Sequence, residues 1–169
     1  MLIRNFAPVL LITLLAACSS SSELKVTKAR SEAIRPNATV ALSVQATENS
    51  GNPEHVQKGV QQVRGNLYSS LPASGHFSQV VPEGQPADYN MEVGVNNVRL
   101  VSGSARFWGG AFAGSNVVTG SVKLIDQSNG LEVASFTATG QSASHPISSE
   151  SGFDDAVREF AYQINEGLE

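Results

Sequence analysis

The period of the apolar residues changes along this chain, and that change limits the available folds more than any other feature. Apolar residues recur at Val56, Val60, Val63, Leu67 and Leu71, spaced four, three, four and four. This spacing predicts one apolar stripe on a helix of about five turns. Asn52-Pro53 offers an N-cap followed by proline at the first helical position, and Pro72 and Gly75 end the pattern. A second stripe of Phe153, Val157, Phe160, Ile164 and Leu168 closes the chain. Ser151 followed by Asp154 reads as a capping-box-like start, with the Asp154-Asp155 pair favoured by the helix dipole. Two one-sided helices must bury their stripes against something, and the residues between and before them repeat with a period of two.

Residues 38–45 alternate with Val40, Leu42 and Val44 on one face, which predicts a strand. His76 to Val81 is a further short strand, followed by a loop with Pro82, Gly84 and Pro86. From Tyr89 the alternation resumes through Met91, Val93 and Val95, then shifts parity to Val98 and Leu100. A one-residue slip at Asn96-Asn97 predicts a β-bulge, since otherwise the second half would turn its apolar side chains outward. Strands at about 116–126 and 131–141 follow, joined at Asp126 to Gly130, where Asn129-Gly130 supplies the positive-φ residues of a hairpin. The expected fold is α+β: a two-layer sandwich in which a mixed, mostly antiparallel sheet of about five strands carries both helices on one face.

The N-terminus gives an address. Arg4 is followed by an apolar run from Phe6 to Ala17. Twelve helical residues cover roughly 18 Å, well short of a ~30 Å hydrocarbon core, so the run reads as an export signal and not as a membrane span. It ends in Leu15-Ala16-Ala17-Cys18, which resembles the lipobox of bacterial lipoproteins. That resemblance implies cleavage before Cys18, the only cysteine, and acylation of its thiol and new amine. Several acyl chains, at ~0.8 kcal/mol per buried methylene, give lasting anchorage. Ser19 is not the aspartate associated with inner-membrane retention in Gram-negative bacteria, so for such a source the resemblance implies the outer membrane with the domain facing the periplasm, and for a Gram-positive source the outside of the cytoplasmic membrane. The expected organisation is a signal peptide at 1–17, a flexible tether at 18–35 and a single domain at 36–169. Part of that tether could form an edge strand.

Charge supports this division. The net charge is −4, but residues 23–35 hold four basic and two acidic side chains, while the domain from Pro36 holds six basic and thirteen acidic ones. A nucleic-acid binder would need a basic face, so the charge argues against that class. One cysteine in 169 residues also rules out an internal disulfide framework and a multi-cysteine zinc site.

The least ordinary segment runs from Gly103 to Asn116, with the only tryptophan, two phenylalanines, an arginine and four glycines. It leads into a strand without a lysine, unlike a phosphate-cradling loop. Two readings stay open. It is either a long β-connection whose aromatics fold onto the core, or an exposed apolar loop in which Phe107, Trp108 and Phe112 meet lipid or a partner with Arg106 at the rim. His55, His76 and His145 lack metal-ligand spacing, and no GxSxG elbow accompanies the many serines. No catalytic residue, metal ligand or cofactor is expected.

From Ser104-Ala-Arg-Phe-Trp-Gly-Gly-Ala-Phe-Ala-Gly-Ser, through Gly120-Ser-Val-Lys-Leu-Ile-Asp126 to Gly130-Leu-Glu-Val-Ala, the chain resembles a family of short bacterial lipoproteins known only as a domain of unknown function. The resemblance spans about residues 36–168. It implies a compact α/β domain similar to the curli secretion lipoprotein and the N-terminal domain of the Tol translocation protein, and it brings no catalytic residues. The expected function is therefore a non-enzymatic envelope lipoprotein. It would be held to the membrane through acylated Cys18 and would bind another envelope component as an assembly or accessory factor. A lipid or small-ligand binding module is the alternative, and a hydrolase without a recognisable motif comes third. The oligomeric state is left open.

Overall fold

The computed structural model describes residues 22–47, 52–102, 104–105, 108, 114–142 and 149–169, the side chains of 149–151 excepted. In chain order these form β1 (Glu23–Lys28), β2 (Thr39–Ala46), α1 (Pro53–Ala73), β3 (Gln79–Pro82), β4 (Tyr89–Arg99), β5 (Val117–Asp126), β6 (Glu132–Gln141) and α2 (Ser149–Glu166). The strands make one six-stranded sheet in the order β1-β6-β5-β4-β2-β3. Pairing is antiparallel from β1 through β4 and parallel between β4, β2 and β3. Parallel neighbours need a crossover, which α1 provides between β2 and β3.

The helical stripes meet one face of this sheet. Val56, Val60, Val63, Leu67 and Leu71 of α1 are buried, as are Phe153, Val157, Phe160, Ile164 and Leu168 along α2 and its end. They join Val40, Leu42, Val44, Met91, Val93, Val122, Leu124 and Phe136 in one hydrophobic core. The two-layer α+β sandwich is as expected, with one strand more than the five anticipated. The other face of the sheet is lined by residues such as Thr119, Ser121, Lys123, Thr137 and Glu92, and neither helix covers it.

The local signals resolve in detail. Asn52 caps α1, its side chain accepting from Glu54 N at 3.0 Å and His55 N at 3.4 Å, with Pro53 as the first helical residue. The ladder between β4 and β5 slips between Val95 and Asn97, which is the bulge the parity shift required. Four details differ. Pro72 lies inside the last turn of α1 instead of ending it. The short strand is Gln79–Pro82, because Phe77 is buried in the core before the strand begins. α2 begins at Ser149, so Ser151 lies within the helix and not at its cap. In the hairpin only Gly130 takes a positive φ, 70°, while the Asn129 side chain accepts from Leu131 N at 2.8 Å.

The segment 18–35, expected to be a tether of which part could form an edge strand, does supply that strand, and more of it is fixed than expected. Glu23–Lys28 forms the edge strand β1, antiparallel to β6, because Leu24 and Val26 point to the helix side beside Ala138 and Phe136. The residues after it are also fastened. Arg30 donates to Leu168 O, and Ser31 N donates to Val133 O at 3.0 Å. The segment 18–35 is therefore not a free spacer: from Glu23 on it belongs to the folded domain.

Candidate functional site at one end of the sheet

The strand directions bring several features to a common end. β1 starts there, with Glu23 opposite Thr139 of β6. β4 ends there at Arg99, opposite Val117 at the start of β5, which in turn faces Gln141 at the end of β6. Ser22 is tied in beside them, its hydroxyl accepting from Gln141 N at 3.4 Å and donating to Glu159 of α2 at 3.0 Å.

The connection from β4 to β5 leaves and re-enters at this end, and its stem is pinned by polar contacts. Asn116 is fully buried; its side chain accepts from Val101 N at 2.7 Å, and its N–H donates to the Ser142 hydroxyl at 3.1 Å. Ser142 N returns a bond to Asn116 O at 3.0 Å. A buried amide so satisfied fixes both arms of the connection relative to the end of β6. Arg99 donates through Nε and Nη2 to Ser115 O at 3.2 and 2.9 Å. Gly114 permits this approach with φ of 83°; a Cβ there would lie 3.4 Å from Arg99 Nη2. Beyond the pinned stem Trp108 is 85% exposed. Of the residues singled out in the sequence, Trp108 is thus at the surface, whereas Cys18, Arg106, Phe107 and Phe112 lie outside the described residues, as does His145. Asn116, Ser142 and Arg99 escaped the sequence reading, because a single buried Asn before a strand has no distinguishing pattern.

The opposite end carries the main charged network. Arg35 Nη2 donates to Asp126 at 3.2 Å and to Asp88 O at 3.1 Å, and its guanidinium lies 4.8 Å from the Tyr89 ring centroid. Thr39 donates its N–H and hydroxyl to Asp88 at 2.8 and 2.9 Å, and these bonds hold that carboxyl below its ordinary value. Ser128 does the same for Asp126 through its hydroxyl and N–H. Arg35 and Thr39 thereby fasten residues 35–39 to Asp88 and Asp126 at the β4–β5 end, so the network is a clasp.

On the uncovered face, a shallow cavity of about 370 Å³ is lined by Ser43, Gln45, Thr47, Glu83, Glu92 and Lys123, among others. No group of three or more His, Cys, Asp or Glu side chains that could hold a metal ion occurs among the described residues. No helix among them is long and apolar enough to cross a membrane.

A family model described as a domain of unknown function, DUF4410, matches residues 20–146. The chain belongs to the DUF4410 family. The matched span begins before β1, in accord with that strand being part of the domain. Among solved structures, this DUF4410 chain is similar to the PelC dodecamer from Paraburkholderia phytofirmans. Identity there is 22%, coverage 87% of this chain and 96% of that one, and the TM-score 0.59. A single-substitution variant of PelC, also a dodecamer, matches at 21% identity over 85% and 97% of the two chains, with a TM-score of 0.53. Lipoprotein GNA1162 from Neisseria meningitidis matches more loosely, at 15% identity over 63% and 82%, with a TM-score of 0.43, too low to carry an argument. No protein among curated relatives matches the sequence. What these likenesses establish is the fold.

Proposed function

We propose that this DUF4410 protein is a lipid-anchored lipoprotein of the bacterial envelope, on the periplasmic face of the outer membrane. In this reading it is a non-enzymatic assembly or accessory factor that binds another envelope component. The observation that carries the reading is the convergence at one end of the sheet. Five residue steps separate Cys18 from Glu23, a reach of at most ~18 Å, so an acylated Cys18 would hold that end against the bilayer. The connection bearing exposed Trp108 emerges from the same end, where an indole suits a boundary that is apolar on one side and wet on the other. The likeness to PelC, which is a dodecamer, supports action in several copies.

The test has two arms. Cys18→Ser should abolish palmitate labelling and release the chain from the membrane fraction; labelling that survived would remove the anchor from the argument. A photoreactive residue in place of Trp108, crosslinked in intact cells, separates the roles. A protein adduct supports the accessory factor, a lipid adduct supports the lipid-contact alternative, and no adduct of either kind counts against both.

A further inference from the structure

We propose that a second copy of this chain docks edge to edge, laying its β1 against the open half of β2. This deepens the reading that the chain acts in several copies, and rests on it.

The acceptor is a notch in the sheet edge. β2 runs from Thr39 to Ala46, but its outer neighbour β3 pairs only with Thr39 to Leu42. Pro82 ends that pairing, having no N–H to extend a ladder. Ser43 to Ala46 therefore have a strand on one side only among the described residues. The N–H of Thr47 turns inward to Val95 O at 3.1 Å, so alternation turns the backbone groups of Val44 and Ala46 outward. The Val44 carbonyl is met there by Arg64 Nη2 at 2.8 Å, a side chain standing where a strand would be.

The donor is the other edge. β1 pairs with β6 alone, carries Lys25 and Lys28, and leaves Val26 51% exposed. Following the register across the sheet shows that the two edges sit at the same level. Lys28 leads through Ser135, Lys123 and Glu92 to Ser43. Val26 leads through Phe136, Val122 and Val93 to Val44, and Lys25 through Thr137, Ser121 and Gly94 to Gln45. Leu24 leads through Ala138, Gly120 and Val95 to Ala46. A copy displaced sideways in the plane of the sheet thus presents these four β1 residues to the four β2 residues that lack an outer strand; Gln45 and Ala46 are exposed there, while Ser43 and Val44 are buried and docking displaces Arg64 from the Val44 carbonyl. β1 then runs antiparallel to β2, since three antiparallel steps and one parallel step separate them.

The faces match as well. Val26 would stand on the helix side beside Val44, while Lys25 and Lys28 would stand on the uncovered face at the cavity holding Glu83 and Glu92. Lys123 lines the same cavity and offsets part of that charge. Lys28 already donates to Glu132 O, and neither lysine forms an ion pair with a carboxylate among the described residues. Joining two different edges is heterologous, so the contact repeats from copy to copy and builds a ring or an open filament with all helix layers on one side.

The experiment uses the full-length protein in detergent, with K25C and Q45C introduced together and a short bismaleimide added. A ladder of dimer, trimer and higher species is expected, with none from either single variant. Light scattering on the parent is expected to give a mass several times that of one chain. K25E with K28E should reduce that mass to one chain while leaving the thermal melt intact, and adding E83K with E92K should restore it. A multimer that yields no ladder and ignores the charge reversals overturns this interface and leaves the multi-copy reading standing. Crosslinking by K25C alone means a two-fold contact and also overturns it. A monomeric parent overturns both.

Discussion

Gly140 of β6 lies directly beneath α2, and replacing it tests whether the helix is seated as closely as the structure describes. A Cβ on residue 140 would fall 2.2 Å from Ala156 O, 2.2 Å from Phe160 N and 2.6 Å from Phe160 Cα. All three are backbone atoms, so no rotamer change relieves the clash. Contact at an ordinary separation of 3.4 Å or more requires α2 to retreat by over ~1 Å along this line. Ala156 and Phe160 are fully buried and Val157 is 3% exposed, so retreat loosens the tightest part of the core. Overpacking costs ~1–3 kcal/mol and occasionally more, and a rigid obstacle places Gly140→Ala at or above ~3 kcal/mol. For a domain of this size that is a fall in Tm of roughly 6–12 °C.

The matching control is Gly65→Ala. Gly65 lies within α1 with nothing within 4 Å of an added Cβ. Alanine there gains helix propensity of about 0.8–1 kcal/mol, a rise of roughly 2–4 °C. Thermal melts followed by circular dichroism read both changes. If Gly140→Ala melted with the parent, α2 could not cross β6 at this distance, and the packing argument would fail.

Two further substitutions probe fastening. Asp88 is held below its ordinary value of 3.8, so its contribution to stability is present above that pH and is lost as the pH falls through the lower folded value. Asp88→Asn should therefore flatten the acid limb of a plot of Tm against pH; an unchanged limb would exclude the clasp as its source. Asn52→Ala removes the acceptor for Glu54 N and His55 N and should cost about 1 kcal/mol, read as a lower urea midpoint at constant slope.

The parts of the fold legible in the sequence were those set by local periodicity. The α1 stripe, the Asn52-Pro53 start and the bulge at Asn96 follow from side chains that must reach one core, and a slip in parity has few other remedies. β1 was harder to read, because its short Leu24–Val26 alternation sits among lysines and glutamates and becomes a strand only once β6 offers an edge. Strand order was not legible at all: that β2 lies between β4 and β3 depends on the α1 crossover, which no local pattern states. For the same reason the Asn116–Ser142 staple was invisible, since its two residues are 26 apart and meet through β5–β6 pairing.

The reach of the link connects the two proposals. With ~18 Å at most between Cys18 and Glu23, the strands would run outward from the bilayer and the sheet edges would face sideways. Sideways is the direction in which anchored copies meet. Confinement to a membrane also raises their effective concentration, so an edge contact too weak to hold free copies together can hold anchored ones. An 18-residue flexible lead, from Cys18 to Arg35, would have let each domain tumble and given the β1 edge no fixed heading. With β1 folded into the sheet that freedom would be lost: in this reading the same six residues would shorten the link, set the orientation and supply the strand that the notch beside β2 lacks.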